Sequence, residues 1–193
     1  PGWPHVLGTD GFGIDILSQL LVGARATLLV GIVSVGVSAL IGVPLGMLAG
    51  QVGGWLDEIV MRAADIVYAF PALILAMLFA SVWGASTATA MAAIGISTVP
   101  AFARVARAGT MQVVASDFVL AARVSGTSRL GIAGRHVAPN IAPVVGVQAS
   151  VVFALAILAE AALSYLGLGT PRSVPTWGNM LRQAQDQLFT APL

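Results

Sequence analysis

Long apolar runs alternate with short polar segments along this chain. Four of the runs are extensive, over residues 24–50, 66–83, 88–103 and 141–167. The first run carries no charged side chain after Arg25, and at about 1.5 Å per helical residue it is long enough to cross the ~30 Å hydrocarbon core of a bilayer. Because only helices and closed barrels satisfy their backbone hydrogen bonds in lipid, the pattern predicts an all-α fold, a polytopic transmembrane helical bundle with about four spans.

Small residues and prolines indicate how these predicted helices pack. Gly42, Gly46 and Gly50 recur at every fourth residue and predict a stripe that another helix approaches closely. Each predicted span also has a proline inside it or close to one end, as in the broken helices of transporters; these are Pro44, Pro71, Pro100 and Pro143. The third run is expected to continue as a helix beyond the bilayer, and residues 51–65 are expected to form a polar hinge.

A polar segment, residues 117–140, separates the last two apolar runs, and we call it the elbow. Ser116 is expected to cap a first short helix, and Gly126 to end it in the left-handed conformation that glycine adopts at little cost. Ser128 is expected to cap a second helix, which Pro139 stops. The elbow is therefore predicted to contain two short helices.

One side of the first elbow helix is predicted to be made of small residues. Ala122 and Gly126 are four positions apart and share a face, with Ala121 beside them. Such a face would let the surface of another protein come close to the backbone. The simpler interpretation is an ordinary loop with helical turns between two spans.

The composition agrees with a bilayer protein and excludes several chemistries. The chain is 58% hydrophobic and 9% charged, whereas a soluble domain is about 25% charged, and its mean hydropathy is +0.93. Lysine is absent, which excludes a phosphate-binding P-loop, so any ATP hydrolysis belongs to another chain. Cysteine is absent too, which excludes disulfides and cysteine metal sites. His5 and His136 lie too far apart in sequence to form a helical metal pair.

The distribution of arginine predicts the orientation in the membrane. Segments 51–65 and 102–140 hold six arginines, and the opposite side holds three. Positive charge favours the cytoplasmic side, so the elbow is expected in the cytoplasm. A surface helix is expected at residues 177–189, with four residues on its apolar face: Trp177, Leu181, Ala184 and Leu188.

Glu160 is the one acid deep inside a predicted span. A carboxylate at such a position is costly and faces a cavity or a partner. One interpretation is contact with a polar or cationic solute in a translocation pathway; the other is a hydrogen-bonded carboxyl that ties helices together. Nucleophilic catalysis by Ser97 and His136 is disfavoured, because the predicted topology places one in a span and the other in the elbow, and the chain has no Gly-x-Ser-x-Gly turn.

The elbow resembles the EAA loop of binding-protein-dependent ABC importer permeases, a pattern of Glu-Ala-Ala, then Gly, then His-x-x-Pro-Asn. The resemblance lies in LAARVSGTSRLGIAGRHVAPN, with matching positions Ala121, Ala122, Gly126, His136, Pro139 and Asn140. Further stretches resemble the dipeptide/oligopeptide (and nickel) branch, of the DppC/OppC type: LGTDGFGIDILSQLLVGAR, AGQVGGWLDEIVMRAADIVYAFP, AEAALSYLGLGTP and PTWGNML. Together these stretches are distributed over nearly the whole chain, from residue 7 to residue 181.

This resemblance implies the fold and the role of a type I ABC importer permease. Residues 1–193 would form its transmembrane domain, the core of a six-span domain without the first and last spans, and residues 113–140 its coupling loop. The implied function is ATP-driven import of dipeptides and oligopeptides, with no catalysis and no cofactor on this chain. The implied partners are a second permease subunit, two ATPase subunits that hold ATP and Mg²⁺, an extracytoplasmic peptide-binding protein and the lipid bilayer, with no nucleic acid.

The resemblance also implies which residues couple the chain to the ATPase. They all lie in the elbow: Asp117, Ala121, Ala122, Gly126, Arg135, His136, Pro139 and Asn140. The elbow departs from the family pattern at Leu120, where the pattern has its glutamate. Two alternatives stay open: a nickel importer permease, and a non-transporting membrane subunit that serves as a scaffold or sensor.

Overall fold

The computed structural model describes residues 5–171 and 173–187. Their regular structure is helical, apart from an isolated antiparallel bridge between Thr9 and Asp15. The helices are α1 (Ile16–Val52), α2 (Gly54–Tyr68), α3 (Ala72–Trp83), α4 (Thr87–Val114), α5 (Asp117–Val124), α6 (Arg129–Ile132), α7 (Ala138–Tyr165) and α8 (Trp177–Gln187), and a π-helical turn, Ala133–Val137, joins α6 to α7. The predicted all-α fold is confirmed.

Three helical stretches of the described chain are long and apolar enough to cross a membrane: α1, α4 and the continuous run Arg129–Tyr165. Helices α2 and α3 meet the same criterion when they are taken together across the break at residues 69–71. The structure therefore has three or four candidate spans, in agreement with the predicted bundle of about four. Helix α4 also continues past its predicted span to Val114, as expected.

The second apolar run differs from its prediction. We predict one span over residues 66–83 after a polar hinge at 51–65, whereas α2 covers most of the hinge and ends at Tyr68, and α3 begins after the break. Pro71 explains the break, because proline lacks a backbone N–H and disfavours helical geometry in the residue before it. The run is therefore shared between two helices.

The described chain divides into two compact units. The first unit contains the described residues of 1–34, 72–94 and 154–193, and the second contains 35–71 and 95–153. Buried apolar side chains form the core of the first unit, among them Val30, Ala90, Ile94, Ala156 and Leu163. The second unit includes the elbow, and its core contains Ala106, Val119, Ile132, Val137 and Ile141.

The predicted glycine stripe packs inside the second unit. A Cβ atom added to Gly42 would lie 2.6 Å from the carbonyl oxygen of Val99, and one added to Gly50 would lie 2.8 Å from another α4 carbonyl oxygen. A Cβ atom added to Gly46 would come closer still, to the carbonyl oxygen of Ala103. In this unit α1 therefore approaches α4 backbone to backbone, which confirms the close helix packing that the stripe predicts.

Ion pairs hold α2 against α4 in the same unit. Asp57 accepts two hydrogen bonds from Arg107, and Asp65 accepts one of 2.6 Å from Arg104. The guanidinium of Arg104 also lies 4.6 Å from the centre of the Tyr68 ring, a cation–π contact. Both aspartates of the predicted hinge are thus paired with α4, and its other two charges, Glu58 and Arg62, pair with each other along α2. This pairing explains why the polar stretch folds as a helix.

Two aspartates organise the segment before α1. Asp15 accepts hydrogen bonds from the hydroxyl of Ser18 at 2.7 Å and from its N–H at 2.8 Å, and so caps α1. These two bonds lower the pKa of the Asp15 carboxyl. Asp10 accepts bonds of 2.9 Å from the N–H groups of Phe12 and Ile14. Hydrogen bonds within the segment therefore occupy both carboxylates.

The predicted surface helix at residues 177–189 corresponds to α8, whose described part ends at Gln187. Leu188 of its predicted apolar face lies outside the described residues. Trp177 donates its indole N–H to the carbonyl of Leu20 at 3.3 Å, and Leu181 is exposed. The helix is therefore anchored to α1 within the first unit.

Candidate functional site

The first elbow helix begins where the sequence predicts. Ser116 has extended backbone geometry, with φ −79° and ψ 150°, and its carbonyl accepts the N–H of Leu120 at 3.1 Å. Its hydroxyl does not cap the helix and instead donates to the carbonyl of Val113. The position of the cap is therefore confirmed, while the side-chain capping bond is absent. Asp117 lies exposed in the first turn, where its charge suits the helix dipole.

Gly126 ends this helix in the predicted left-handed conformation, with φ +81°. Its N–H donates to the carbonyl of Arg123, and the N–H of Thr127 donates to the carbonyl of Ala122, both at 3.0 Å. This pair of bonds is a Schellman motif, which glycine forms without steric cost. A Cβ atom added to Gly126 would meet nothing within 4 Å, so the chain requires glycine here for its backbone conformation.

The second elbow helix corrects the prediction that Pro139 stops it. Ser128 caps α6 as predicted and accepts the N–H of Gly131 at 3.2 Å. The chain then passes through the π-helical turn into α7, and Pro139 is the second residue of α7. The π turn accommodates the proline within the continuous helix: the N–H of Ala138 bonds to the carbonyl of Ala133, five residues back, so the regular α-helical bonding is already interrupted where proline lacks its N–H. The amide of Asn140 donates to the carbonyl of His136 at 2.6 Å and satisfies an acceptor of the π turn.

The elbow is packed onto the core of the second unit. Val119 of α5 is fully buried in the same cluster as Val137 and Ile141. The ring of Phe118 lies 5.9 Å from the ring of His136, centre to centre. Residues on α5 therefore contact the π turn and the start of α7, which fixes the two parts of the elbow relative to each other.

The predicted coupling residues lie mainly at the surface of the second unit. Six of the eight are exposed, and Ala122 and His136 are half-buried. The contacts described above bring together His136 and Asn140. Ala121 lies on the side of α5 away from Val119, whereas Ala122 lies between the two sides, so the predicted small-residue face is only partly exposed.

Sequence reasoning missed the exposed apolar side chains of the elbow. Val124 is 90% exposed, Leu130 is 85% exposed, and Leu120 is 48% exposed. Leu120 and Val124 are four residues apart, so they share a side of α5, and Ala121 lies next to Val124 on that side. The sequence signal for this exposed side was the pair of apolar residues, Leu120 and Val124, four positions apart within the polar elbow. This side of α5, formed by Leu120, Ala121 and Val124, is hereafter the outer face.

Glu160 is fully buried in the first unit. Its Oε1 atom accepts a hydrogen bond from the hydroxyl of Ser164 at 2.6 Å and a longer one from the hydroxyl of Thr170 at 3.4 Å. Its Oε2 atom has no hydrogen-bond partner among the described residues. Asn179 of α8 in turn donates to the carbonyl of Thr170 at 3.2 Å. This geometry favours a carboxyl that ties α7 to the segment before α8, and a role in a translocation pathway stays a prediction.

No group of three or more metal-ligating side chains occurs in the part of the chain that the structure describes. The candidate functional site is the elbow, whose outer face on α5 is apolar and exposed.

Comparison with known proteins relates this chain to a protein family. Residues 42–193 match the family described as "Binding-protein-dependent transport system inner membrane component". The chain is 38% identical over 192 residues to the glutathione transport system permease protein GsiD of Pectobacterium atrosepticum, covering 100% of this chain and 64% of that protein. It is also 38% identical over 193 residues to the dipeptide transport system permease protein DppC of Alkalihalophilus pseudofirmus, covering 100% of this chain and 63% of that protein. The chain thus spans less than two thirds of the length of these relatives.

The fold is similar to a solved importer. A chain of the MetNI methionine ABC transporter in an inward-facing conformation superimposes with a TM-score of 0.73 at 19% identity, covering 91% of this chain and 82% of that chain. This likeness confirms the predicted type I importer fold, and the family match confirms the predicted membrane localisation. Since the family model matches most of the residues, the chain belongs to the binding-protein-dependent transport system inner membrane components, the permease family that the elbow motif predicts.

Proposed function

We propose that this chain is a membrane-spanning subunit of an ATP-driven importer of small peptides. The observation that carries the proposal is the similarity, over the whole chain, to permeases named for dipeptide and glutathione transport. A separate ATPase binds ATP and Mg²⁺ and supplies the energy, which agrees with the absence of lysine and hence of a P-loop. The chain itself forms part of the pathway and catalyses no covalent step.

The outer face of α5 is the surface that we propose for contact with the ATPase. Exposed apolar side chains outside the membrane mark a site for a partner, and Val124 is almost fully exposed. Leu120 stands where the family pattern has glutamate, so this contact depends on apolar burial at a position where the pattern would supply a charge. Asp117, exposed one turn earlier, is the nearest acid that could pair with the ATPase.

The remaining coupling residues shape the elbow in this proposal. Gly126 sets the turn, and Asn140 satisfies the π turn after His136. Arg135 is exposed and adds positive charge to the same segment. A second permease subunit, a second ATPase subunit and an extracytoplasmic peptide-binding protein complete the proposed assembly.

Uptake of a radiolabelled dipeptide tests the transported solute. The natural full-length protein would be reconstituted in vesicles with its partner subunits, and uptake is expected to require both ATP and the binding protein. Uptake of Ni²⁺ in place of the peptide would establish the nickel alternative. An assembly that hydrolyses no ATP in response to either solute would refute transport and favour a scaffold or sensor.

Two pairs of variants test the elbow as the ATPase contact. Val124→Asp places an unpaired charge in the proposed apolar contact, so ATPase retained by the purified complex should fall at least about tenfold. Gln112→Asp adds the same charge at an exposed position on α4 and should retain the ATPase. Gly126→Val strains the left-handed turn and should abolish uptake without preventing membrane insertion, whereas Gly126→Asn, which tolerates this conformation, should preserve uptake. Equal ATPase retention in Val124→Asp and Gln112→Asp would contradict the proposed contact.

A further inference from the structure

A cavity of about 320 Å³ lies in the second unit beside the elbow. The end of α1, the end of α5 and the start of α6 surround it, and its lining residues are Gln51, Arg123, Thr127, Arg129 and Ile132. Two guanidinium groups, a hydroxyl and a carboxamide therefore border one small space. All of these groups donate hydrogen bonds, so the cavity has the chemistry of an anion site.

The two cavity arginines have no acidic partner in the described chain. Three other arginines of the same unit are paired: Arg62 with Glu58, Arg104 with Asp65 and Arg107 with Asp57. Arg135 forms no ion pair with a described residue either, but it does not line the cavity. Neither Arg123 nor Arg129 forms an ion pair with any described residue. Their positive charge is therefore available to a bound anion.

The length of the uncharged part of α1 favours a position of the cavity near the lipid headgroups. Residues 26–50 of α1 carry no charge and extend about 37 Å as a helix, which is more than the ~30 Å of a hydrocarbon core. Gln51 follows this run directly and therefore lies at the membrane surface. Its amide donates to the carbonyl of Arg129 at 3.3 Å, which holds the start of α6 at the same level.

The cavity is separate from the outer face of α5. At about 100° per helical residue, Arg123 projects about 40° from the buried Val119, whereas Val124 projects about 140° from it. Arg123 therefore faces the body of the second unit, while Val124 faces away from it. An ATPase on the outer face leaves the cavity free, and the bilayer surface beside Gln51 is the nearest source of an anion.

We propose that this cavity binds the phosphate of an anionic phospholipid headgroup. The guanidinium groups of Arg123 and Arg129 donate to the phosphate oxygens, a geometry that arginine forms with two parallel bonds. The hydroxyl of Thr127 and the amide of Gln51 supply further donors. Basic cavities at the ends of membrane helices select anionic lipids. The phosphate of an anionic headgroup is free to neutralise the arginine charge, whereas the phosphate of a zwitterionic headgroup is already paired with the headgroup's own cation. The proposal concerns this chain whatever solute it transports.

Lipid titration of the purified full-length complex tests this site. Binding of phosphatidylglycerol would be measured by native mass spectrometry, with phosphatidylcholine as the zwitterionic comparison. Near a membrane surface one arginine contributes about fivefold in affinity, so the Arg123→Gln, Arg129→Gln double variant should bind phosphatidylglycerol about 25-fold more weakly. The Arg62→Gln control removes one exposed arginine that does not line the cavity, and it should bind as the wild type does.

Three outcomes would overturn the proposal. Equal affinity of the double variant and the wild type would show that the lipid binds elsewhere. Displacement of the lipid by millimolar inorganic phosphate would identify a site for free anions. Loss of the ATPase from the double variant, with lipid binding unchanged, would place the arginines in the protein contact.

A lysine version of the double variant keeps the test valid if the glutamine version fails to assemble. Arg123→Lys with Arg129→Lys keeps both charges and removes the paired donors of the guanidinium. The expected affinity lies between those of the wild type and the glutamine variant. Wild-type affinity in the lysine variant would refute the paired hydrogen bonds while leaving the electrostatic attraction.

Discussion

Replacing Gly42 with alanine tests the backbone contact between α1 and α4. The added Cβ atom would lie 2.6 Å from the carbonyl oxygen of Val99 and 2.7 Å from the Cβ atom of Phe102. Ordinary contacts of a Cβ atom begin at 3.4 Å. The two helices must therefore separate by about 0.8 Å, because the nearest atom belongs to the backbone and no change of rotamer relieves the clash.

Gly36 is a matched control on the same helix. A Cβ atom added there meets nothing within 4 Å, so Gly36→Ala should gain only the helix preference of alanine, about 0.5–1 kcal/mol. Gly42→Ala gains the same preference and loses about 1–3 kcal/mol through overpacking. The difference in stability between the two variants therefore isolates the cost of separating the helices. At about 2–4 °C per kcal/mol, Gly42→Ala should have a midpoint of thermal unfolding about 2–12 °C below that of Gly36→Ala.

Thermal unfolding of the intact protein in one detergent, followed by tryptophan fluorescence, measures this difference. Both variants would be compared at the same protein and detergent concentrations. If Gly42→Ala unfolds at the same temperature as Gly36→Ala, α1 and α4 do not touch backbone to backbone, and the packing of the second unit described above is wrong.

Two further predictions concern single carboxylates. Glu160→Leu leaves the hydroxyl of Ser164 without its buried acceptor, whereas Glu160→Gln keeps that acceptor. Glu160→Leu should therefore be less stable than Glu160→Gln by about 1–3 kcal/mol. Equal midpoints of thermal unfolding for the two variants would contradict the hydrogen-bond network. Asp15 has a lowered pKa, so its charge stabilises the fold above the ordinary carboxyl pKa of about 3.9, and this contribution disappears as the pH falls through the lowered value. Wild type and Asp15→Asn should therefore differ in unfolding midpoint at pH 7 and converge in acid, and a difference that persists at pH 2 would assign the stabilisation to something other than charge.

The parts of the fold that were predictable depend on residues close together in sequence. A long apolar run is enough to predict a membrane helix, and the position of Ser116 and the glycine at 126 are enough to bound α5, because caps act within one helical turn. The helical structure of residues 54–68 was not predictable in this way. It depends on pairs such as Asp57 with Arg107, which lie 50 positions apart, and a single sequence does not show which distant charges meet.

The outer face of the elbow was predicted only in part, for a related reason. Helical spacing groups Ala121 with its neighbours, but the buried side of a short helix is set by the core that it meets. Val119 is the residue that contacts this core, which places Ala122 at its edge and leaves Val124 exposed. The small residues that the family motif emphasises therefore identify only part of the side of α5 that is exposed.

The continuity of the elbow with α7 bears on how a partner could act on this chain. Pro139 and Asn140 follow the π turn, which accommodates a proline without ending the helix. Helix α6 therefore runs into α7 without a flexible joint. Val119 is buried in one cluster with Val137 and Ile141, which joins α5 to the same body. A displacement applied to the outer face must therefore move α5 and the start of α7 together, because packed side chains resist independent movement. We expect the His-x-x-Pro-Asn motif to serve this rigid connection, which a loop that ended at Pro139 would not provide.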